Sequence, residues 1–229
     1  MPDIPSDGWV ARAQAVIAND PASISRFFAQ AGRAVGREAV EPAADPTGIV
    51  HGTRDDLARV ALVVSLSGAL DDAPLATELE SLYRHGDNAE RRGVLLGLGA
   101  LDTRPAGLVE GEVVAAGVEL AKDALRANDP RLVASALGDF GARHLDDHSW
   151  RHGVLKLVFM DAPLASVAGL DGRYDDELDR MLGALDEERR AAGRTTPDDV
   201  VRLRLRHRAQ APTRAQPPQD QHVHQTKGE

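Results

Sequence analysis

The chain has 229 residues, a formal net charge of −9 and a hydrophobic fraction of 42%, of which only 3% of the chain is aromatic. The acidic balance argues against a nucleic-acid binder driven by phosphate contacts. The absence of cysteine excludes a disulfide framework and thiolate chemistry, and suits a reducing cytoplasm.

A core drawn from Ala, Leu and Val favours close-packed helices over a β-sandwich. The opening MPDIPSDGW has no basic or apolar signal-peptide region, so none is expected. Gly8 to Ala18 reads as a short helix with Trp9, Ala13, Val16 and Ile17 inward. Asp20 and Pro21 start the next, with Ile24, Phe27, Phe28, Ala31 and Val35 on one face and Gly36 at its end. Glu38 to Gly52 holds two prolines and two glycines with little periodicity, and reads as a loop or linker. Thr53 with Asp56 resembles a capping box. The helix after it is expected to bury Leu57, Val60, Ala61, Val64 and Leu66. The apolar run from Val60 to Leu70 is broken by Ser65, Ser67 and Gly68 and is too short to cross a bilayer, so no membrane insertion is expected.

Asp72 starts a helix with Leu75, Leu79 and Leu82, closed by Gly86. Asp87 with Glu90 opens another carrying Val94, Leu95, Leu98 and Leu101. Gly93, Gly97 and Gly99 fall inside that pattern and suit close helix packing. A long helix is expected from Ala106 to Ala127, stopped at Asn128-Asp129-Pro130, which starts another. Ala18-Asn19-Asp20-Pro21 recurs as Ala127-Asn128-Asp129-Pro130, which reads as shared stop-and-cap grammar. Further helices surround Trp150 to Met160, follow Pro163, run from Asp175 to Ala192 and begin at Thr196-Pro197.

No segment alternates with period two. The expected fold is all-α, with roughly ten helices of about three turns stacked as antiparallel pairs in an α-solenoid-like array. Residues 1–207 are expected to form one helical domain. Residues 208–229, rich in Gln, Pro and Arg, are expected to be a disordered tail. Arg202, Arg204, Arg206 and Arg208 before it read as solubilising charge or as contacts for an acidic partner.

There is no GxxxxGK[ST] loop, no GxGxxG, no HExxH and no GxSxG. The polar residues that stand out surround Trp150. His144, His148, His152 and Lys156 are spaced by four and would share a stripe if one helix carried them. Opposite them lie Trp150, Val154, Leu157 and Val158, with Leu155 and Phe159 flanking. His148 and His152 could chelate a metal beside Asp146 or Asp147, but nothing forces a closed ligand set; a solvated face is the stronger reading, and neither metal nor cofactor is expected. Lys156 reads as a structural ion pair with a carboxylate such as Asp171, or as an anion- or ligand-binding group. In Gly169-Leu170-Asp171-Gly172-Arg173, Arg173 can fork onto a carboxylate or phosphate. Glu187 with Arg190 reads as an i,i+3 pair, and Gly193 as a C-cap.

These residues resemble the EboA family of bacterial proteins. Trp150, Val154, Leu155, Lys156 and Phe159 match one family segment, where Arg151, His152 and Gly153 replace Asn-Gln-Met. Pro163, Leu164, Gly169, Leu170, Asp171, Arg173, Glu188, Arg189, Ala191, Ala192, Gly193 and Arg194 match the next, and Gly86 to Glu90 carries a weaker echo. Gly138 to Gly141 stand where the family has Asn-Pro-Tyr-Pro, and only His144 fits there. The resemblance implies an accessory component of bacterial clusters that make or move a secondary metabolite, encoded beside a prenyltransferase-like membrane protein, sugar-phosphate-cyclase-like and TIM-barrel enzymes. It implies no defined reaction.

The reading of the chain is therefore a non-enzymatic protein for metabolite production or trafficking. It binds a small-molecule metabolite or a protein of the same cluster through His144, Trp150, Lys156, Phe159, Asp171 and Arg173. One alternative is an enzyme for a small anionic metabolite, with Lys156, His144 and Arg173 in one pocket. Another is a helical scaffold whose groove docks a partner.

Overall fold

The computed structural model describes residues 8–103 and 111–210. Within them lie twelve α-helices and no strand beyond one isolated bridge, Ala39 with Thr53. The helices are α1 (Gly8–Asn19), α2 (Ile24–Val35), α3 (Arg54–Ser67), α4 (Asp72–His85), α5 (Asn88–Asp102) and α6 (Gly111–Ala124). They continue as α7 (Pro130–Ala136), α8 (Asp139–His144), α9 (Asp147–Phe159), α10 (Leu170–Arg173), α11 (Asp176–Ala191) and α12 (Asp198–Gln210). Single 3₁₀ turns at Pro21–Ser23 and Leu164–Ser166 complete the described elements.

The expected stops and caps set these boundaries. Gly36 ends α2 at φ 86, which glycine adopts without a Cβ penalty. Asp56 reaches back to accept the Thr53 N–H at 2.8 Å, and Asp87 and Glu90 exchange the corresponding bonds at 2.9 and 2.8 Å. Asp129 accepts from the amides of Arg131 and Leu132 at the start of α7. The long helix expected from Ala106 is described as α6 alone; its expected first residues lie outside the described ones. Helix α12 runs to Gln210, past the boundary expected after His207, and the rest of the expected tail lies outside the described residues.

Helices stack on their next-but-one neighbours. The odd-numbered helices form one row, α1 on α3, α3 on α5, α5 on α7, α7 on α9 and α9 on α11. A second row places α4 on α6 and α6 on α8. This is the stacking of an α-solenoid, in which each unit buries its apolar face on the next. The core runs through Leu62, Leu66, Leu98, Leu132, Leu137, Trp150 and Leu157. Two α5 glycines allow the closest crossing: a Cβ on Gly97 would stand 2.8 Å from Val63, and one on Gly93 2.5 Å from the Arg59 side chain.

The buried face of α3 differs from the periodic expectation. Its inward stripe is Asp55, Asp56, Ala58, Arg59, Ala61, Leu62, Val63 and Leu66, while Leu57, Val60 and Val64 stay half-exposed. Four charges therefore enter the α3–α5 interface: Asp55 is 2% exposed, Asp56 1%, Arg59 1% and Arg92 4%. They enter paired. Arg59 Nη1 donates to Asp55 at 2.6 Å and its Nε to the Phe28 carbonyl at 3.1 Å. Arg92 pairs with Asp56 and also reaches the Gly48 carbonyl at 3.4 Å. The carboxylates thus tie α2, α3, α5 and the loop before α3 together.

Further out, the arginines of α12 find carboxylates within the chain. Arg204 reaches Asp179 at 3.1 Å and Asp186 at 3.6 Å, and Arg208 reaches Asp179 at 3.5 Å. Arg190 pairs with Asp186 at 2.7 Å, one turn back, in place of the expected Glu187.

Removing one member of a buried pair leaves an uncompensated charge, so Asp56→Ala is expected to lower unfolding free energy by about 3–5 kcal/mol in urea titration. A second expectation concerns acid. Burial raises the Asp55 carboxyl, but hydrogen bonds from Thr53 and Arg59 and the Arg59 charge outweigh it, holding it below the ordinary carboxylate value. The unfolded chain then binds the proton more readily, so this contribution is complete above the unfolded value and lost as pH falls through the folded one. Thermal midpoints should fall as pH drops below about 4, and Asp55→Asn should flatten that acid limb.

Candidate functional site

The sequence-predicted residues around Trp150 are built into the packing of α8, α9 and the α10 turn. Trp150 is fully buried, and its Nε1 has no hydrogen-bond partner. The Arg173 guanidinium lies 4.7 Å from its ring centre. Arg173 also donates to the carbonyls of Gly141, Ala142 and Leu145 at 3.3, 3.0 and 2.9 Å and to Asp147 at 2.7 Å. Its fork caps the C-terminal carbonyls of α8 and the first turn of α9. Arg151, which departs from the family pattern, pairs with Asp175 at the start of α11.

The stripe spaced by four is divided between two helices. His144 ends α8, and its Nε2 lies 3.1 Å from Asp102, with its ring 4.6 Å from that of Phe140. His148 and His152 stack on α9 at 4.3 Å, and no group of three potential metal ligands occurs among the described residues. Lys156 does not meet Asp171: its Nζ donates to the Leu125 carbonyl at 2.7 Å, just past α6, where a cation suits the helix dipole. Asp171 is exposed, with Arg206 4.0 Å away.

Lys156, His144 and Arg173 are not brought into one pocket. Arg173 engages Asp147 and Trp150, and Lys156 lies about 13 Å further along α9 by helical rise. The surface cavity that Lys156 borders is walled by Leu155, Phe159, Arg180, Met181, Ala184, Leu185 and Glu188. Phe159 is its exposed feature, at 61%. The Arg189 and Arg194 of the matched helix end hold the chain together, both pairing with Asp161, at 2.6 and 2.7 Å.

A larger cavity, of about 750 Å³, lies on the odd row of helices. Its long wall is a stripe on α5, Arg92, Leu95, Leu96, Gly99 and Ala100, at the spacing of one helix face. The half-exposed Leu57, Val60 and Val64 of α3 form a second wall, and Arg131, Ala134 and Ser135 of α7 a third. Residues 48–52 and 165–168 complete it. Gly138 and Asp139, where the chain departs from the family pattern, stand in its wall as well.

The loop at 48–52 is held by one carboxylate. Asp45 accepts from the amides of Ile49, Val50 and His51 at 3.1, 2.8 and 2.8 Å, and from the Thr47 hydroxyl at 3.1 Å. Burial raises its carboxyl, but these four bonds outweigh it and hold it below the usual range. The second closing segment is anchored where Ala168 N–H donates to the Leu137 carbonyl at 2.9 Å.

Asp139, Ser135, Ser166 and Thr103 line other parts of the cavity's polar wall, and its two arginines stand at the end where α3 and α5 begin. There Arg92 meets Asp56, and Arg131 stands close enough for its charge to bear on Arg92. Burial pushes Arg92 below its ordinary value, Asp56 opposing and Arg131 reinforcing the shift. The rest is mainly Leu, Val, Ala and Gly. Such a space, apolar with a few convergent polar groups, fits the general form of a small-molecule site.

The residues of this cavity were not singled out by sequence reasoning. The one signal in the chain that could have found it is Arg59 inside an otherwise apolar helix pattern.

The described residues form an all-α protein of solenoid-like stacking with a cavity along its odd row of helices. A family model described as metabolite traffic protein EboA matches residues 9–204, and the chain belongs to that family. No curated protein and no solved structure matches it. No described helix is long and apolar enough to cross a membrane.

Asp45→Ala should release the loop without unfolding the helices. Hydrogen exchange at the amides of Ile49, Val50 and His51 is expected to speed up while that of α5 is unchanged.

Proposed function

We propose that the chain is a non-enzymatic cytoplasmic binding protein of metabolite traffic, and that its metabolite occupies the cavity between α3, α5 and α7. The observation that carries this reading is the cavity itself: about 750 Å³, walled by one continuous stripe of α5 and closed by an anchored loop. That volume lies within the usual range of ligand pockets, roughly 300–1,000 Å³. The family description supplies the class of task. In this reading Trp150, Arg173 and His144 act by holding α8 and α9 against α5 and the α10 turn.

The α9–α11 face supports a second reading of part of the chain. Phe159 stands exposed beside Lys156, Leu155, Met181 and Leu185, with Asp171 exposed on the α10 turn. A protein of the same cluster would dock there while the metabolite sits elsewhere. The enzyme reading has less support, because Lys156, His144 and Arg173 serve separate elements.

Bulk placed in the wall tests the proposal. Ala165→Trp, at an exposed wall position, and Ala100→Trp, at a half-buried one, should keep the fold by circular dichroism. Native mass spectrometry after incubation with a metabolite extract of the source should show a retained small molecule in the parent chain and its loss in both variants. Equal retention by folded variants would place the ligand elsewhere.

A further inference from the structure

The cavity wall has a directional chemistry. Arg92, on the second turn of α5, and Arg131, at the start of α7, stand at one end. Thr103, at the far end of α5, lies about 16 Å away by helical rise. Between them lie Leu57, Val60, Val64, Leu95, Leu96 and Val167, with Asp139 against Gly99.

Three carboxylates and three arginines meet at the polar end. Asp55 is matched by Arg59, and Asp56 by Arg92. Asp129 accepts from the Asn88 side chain at 3.0 Å and from the amides of Arg131 and Leu132, and makes no ion pair with the Arg131 side chain. Among the described residues the Arg131 guanidinium has no hydrogen-bond or ion-pair partner, and its Nε is buried without one. Arg131 is half-buried and lines the cavity, so an acceptor there would meet an Nε that water does not reach. Its fork suits a carboxylate or a phosphate.

We infer that the ligand is an amphiphilic anion, its carboxylate or phosphate on Arg131 beside Arg92 and its apolar body along α5 toward Thr103. The inference rests on the cavity being the ligand site and adds the chemical class. Arg92 pairs with the Asp56 Oδ2.

Matched probes with one tail separate the two claims. Decanoate, decyl phosphate and decan-1-ol are titrated by calorimetry into the full-length chain, Arg131→Gln, Arg131→Lys and Ala165→Trp. At least one anion is expected to bind about tenfold or more tighter than the alcohol, as a charge-assisted bond of about 1.5–3 kcal/mol implies. Arg131→Gln should erase that preference while leaving the alcohol unchanged, Arg131→Lys should retain part of it, and Ala165→Trp should weaken all three probes. The stronger of the two anions identifies the head group. Equal binding of the alcohol and both anions, all blocked by Ala165→Trp, would overturn the anion inference and leave the cavity site standing. Binding of no probe, or binding indifferent to Ala165→Trp, would overturn both.

Discussion

The fold depends on two buried ion pairs, Asp55 with Arg59 within α3 and Asp56 with Arg92 between α3 and α5. Charges withdrawn from water this far are tolerated only when matched and further hydrogen-bonded. Here they also bond the Phe28 and Gly48 carbonyls and the Thr53 cap. Those bonds decide which side of α3 faces inward. With the charged stripe turned to α5, the apolar Leu57, Val60 and Val64 rotate outward into half-exposure, and they become one wall of the cavity.

Stacking on next-but-one neighbours does the rest. Because α3, α5 and α7 follow one another in a row, a single face of each contributes to one continuous lining. The small residues of α5 matter twice. Gly93 and Gly97 let α3 approach, and Gly99 with Ala100 keeps the lining open. The C-terminal helices contribute through the segment at 165–168, which Arg173, Trp150 and the Asp161–Arg189 pair help to place.

Much of the architecture was legible in the chain. Local signals such as Asp87 with Glu90, Asp129 with Pro130, and Gly36 mark boundaries that tertiary packing keeps. The apolar face of α9 was legible as well, since Trp150, Val154, Leu157 and Val158 obey one period and are all buried. The face of α3 was not, because periodicity ranks Asp and Arg as outward and cannot foresee a partner as remote as Arg92. The residues of the family resemblance were legible as a group, but their tasks were not. Arg173 looks like an anion fork in sequence, and only the fold reveals that three carbonyls and Asp147 already fill it. Arg131 is the converse: ordinary after an Asp-Pro cap, it buries its Nε without a partner.

The central claim is that ligand enters between α3, α5 and α7 and not on the α9–α11 face. Methyl NMR of the full-length chain titrated with decanoate tests it most directly. The account predicts shifts at Val60, Val64, Leu95, Leu96 and Val167, with Leu155, Met181 and Leu185 unmoved. Shifts confined to Leu155, Met181 and Leu185 would contradict it.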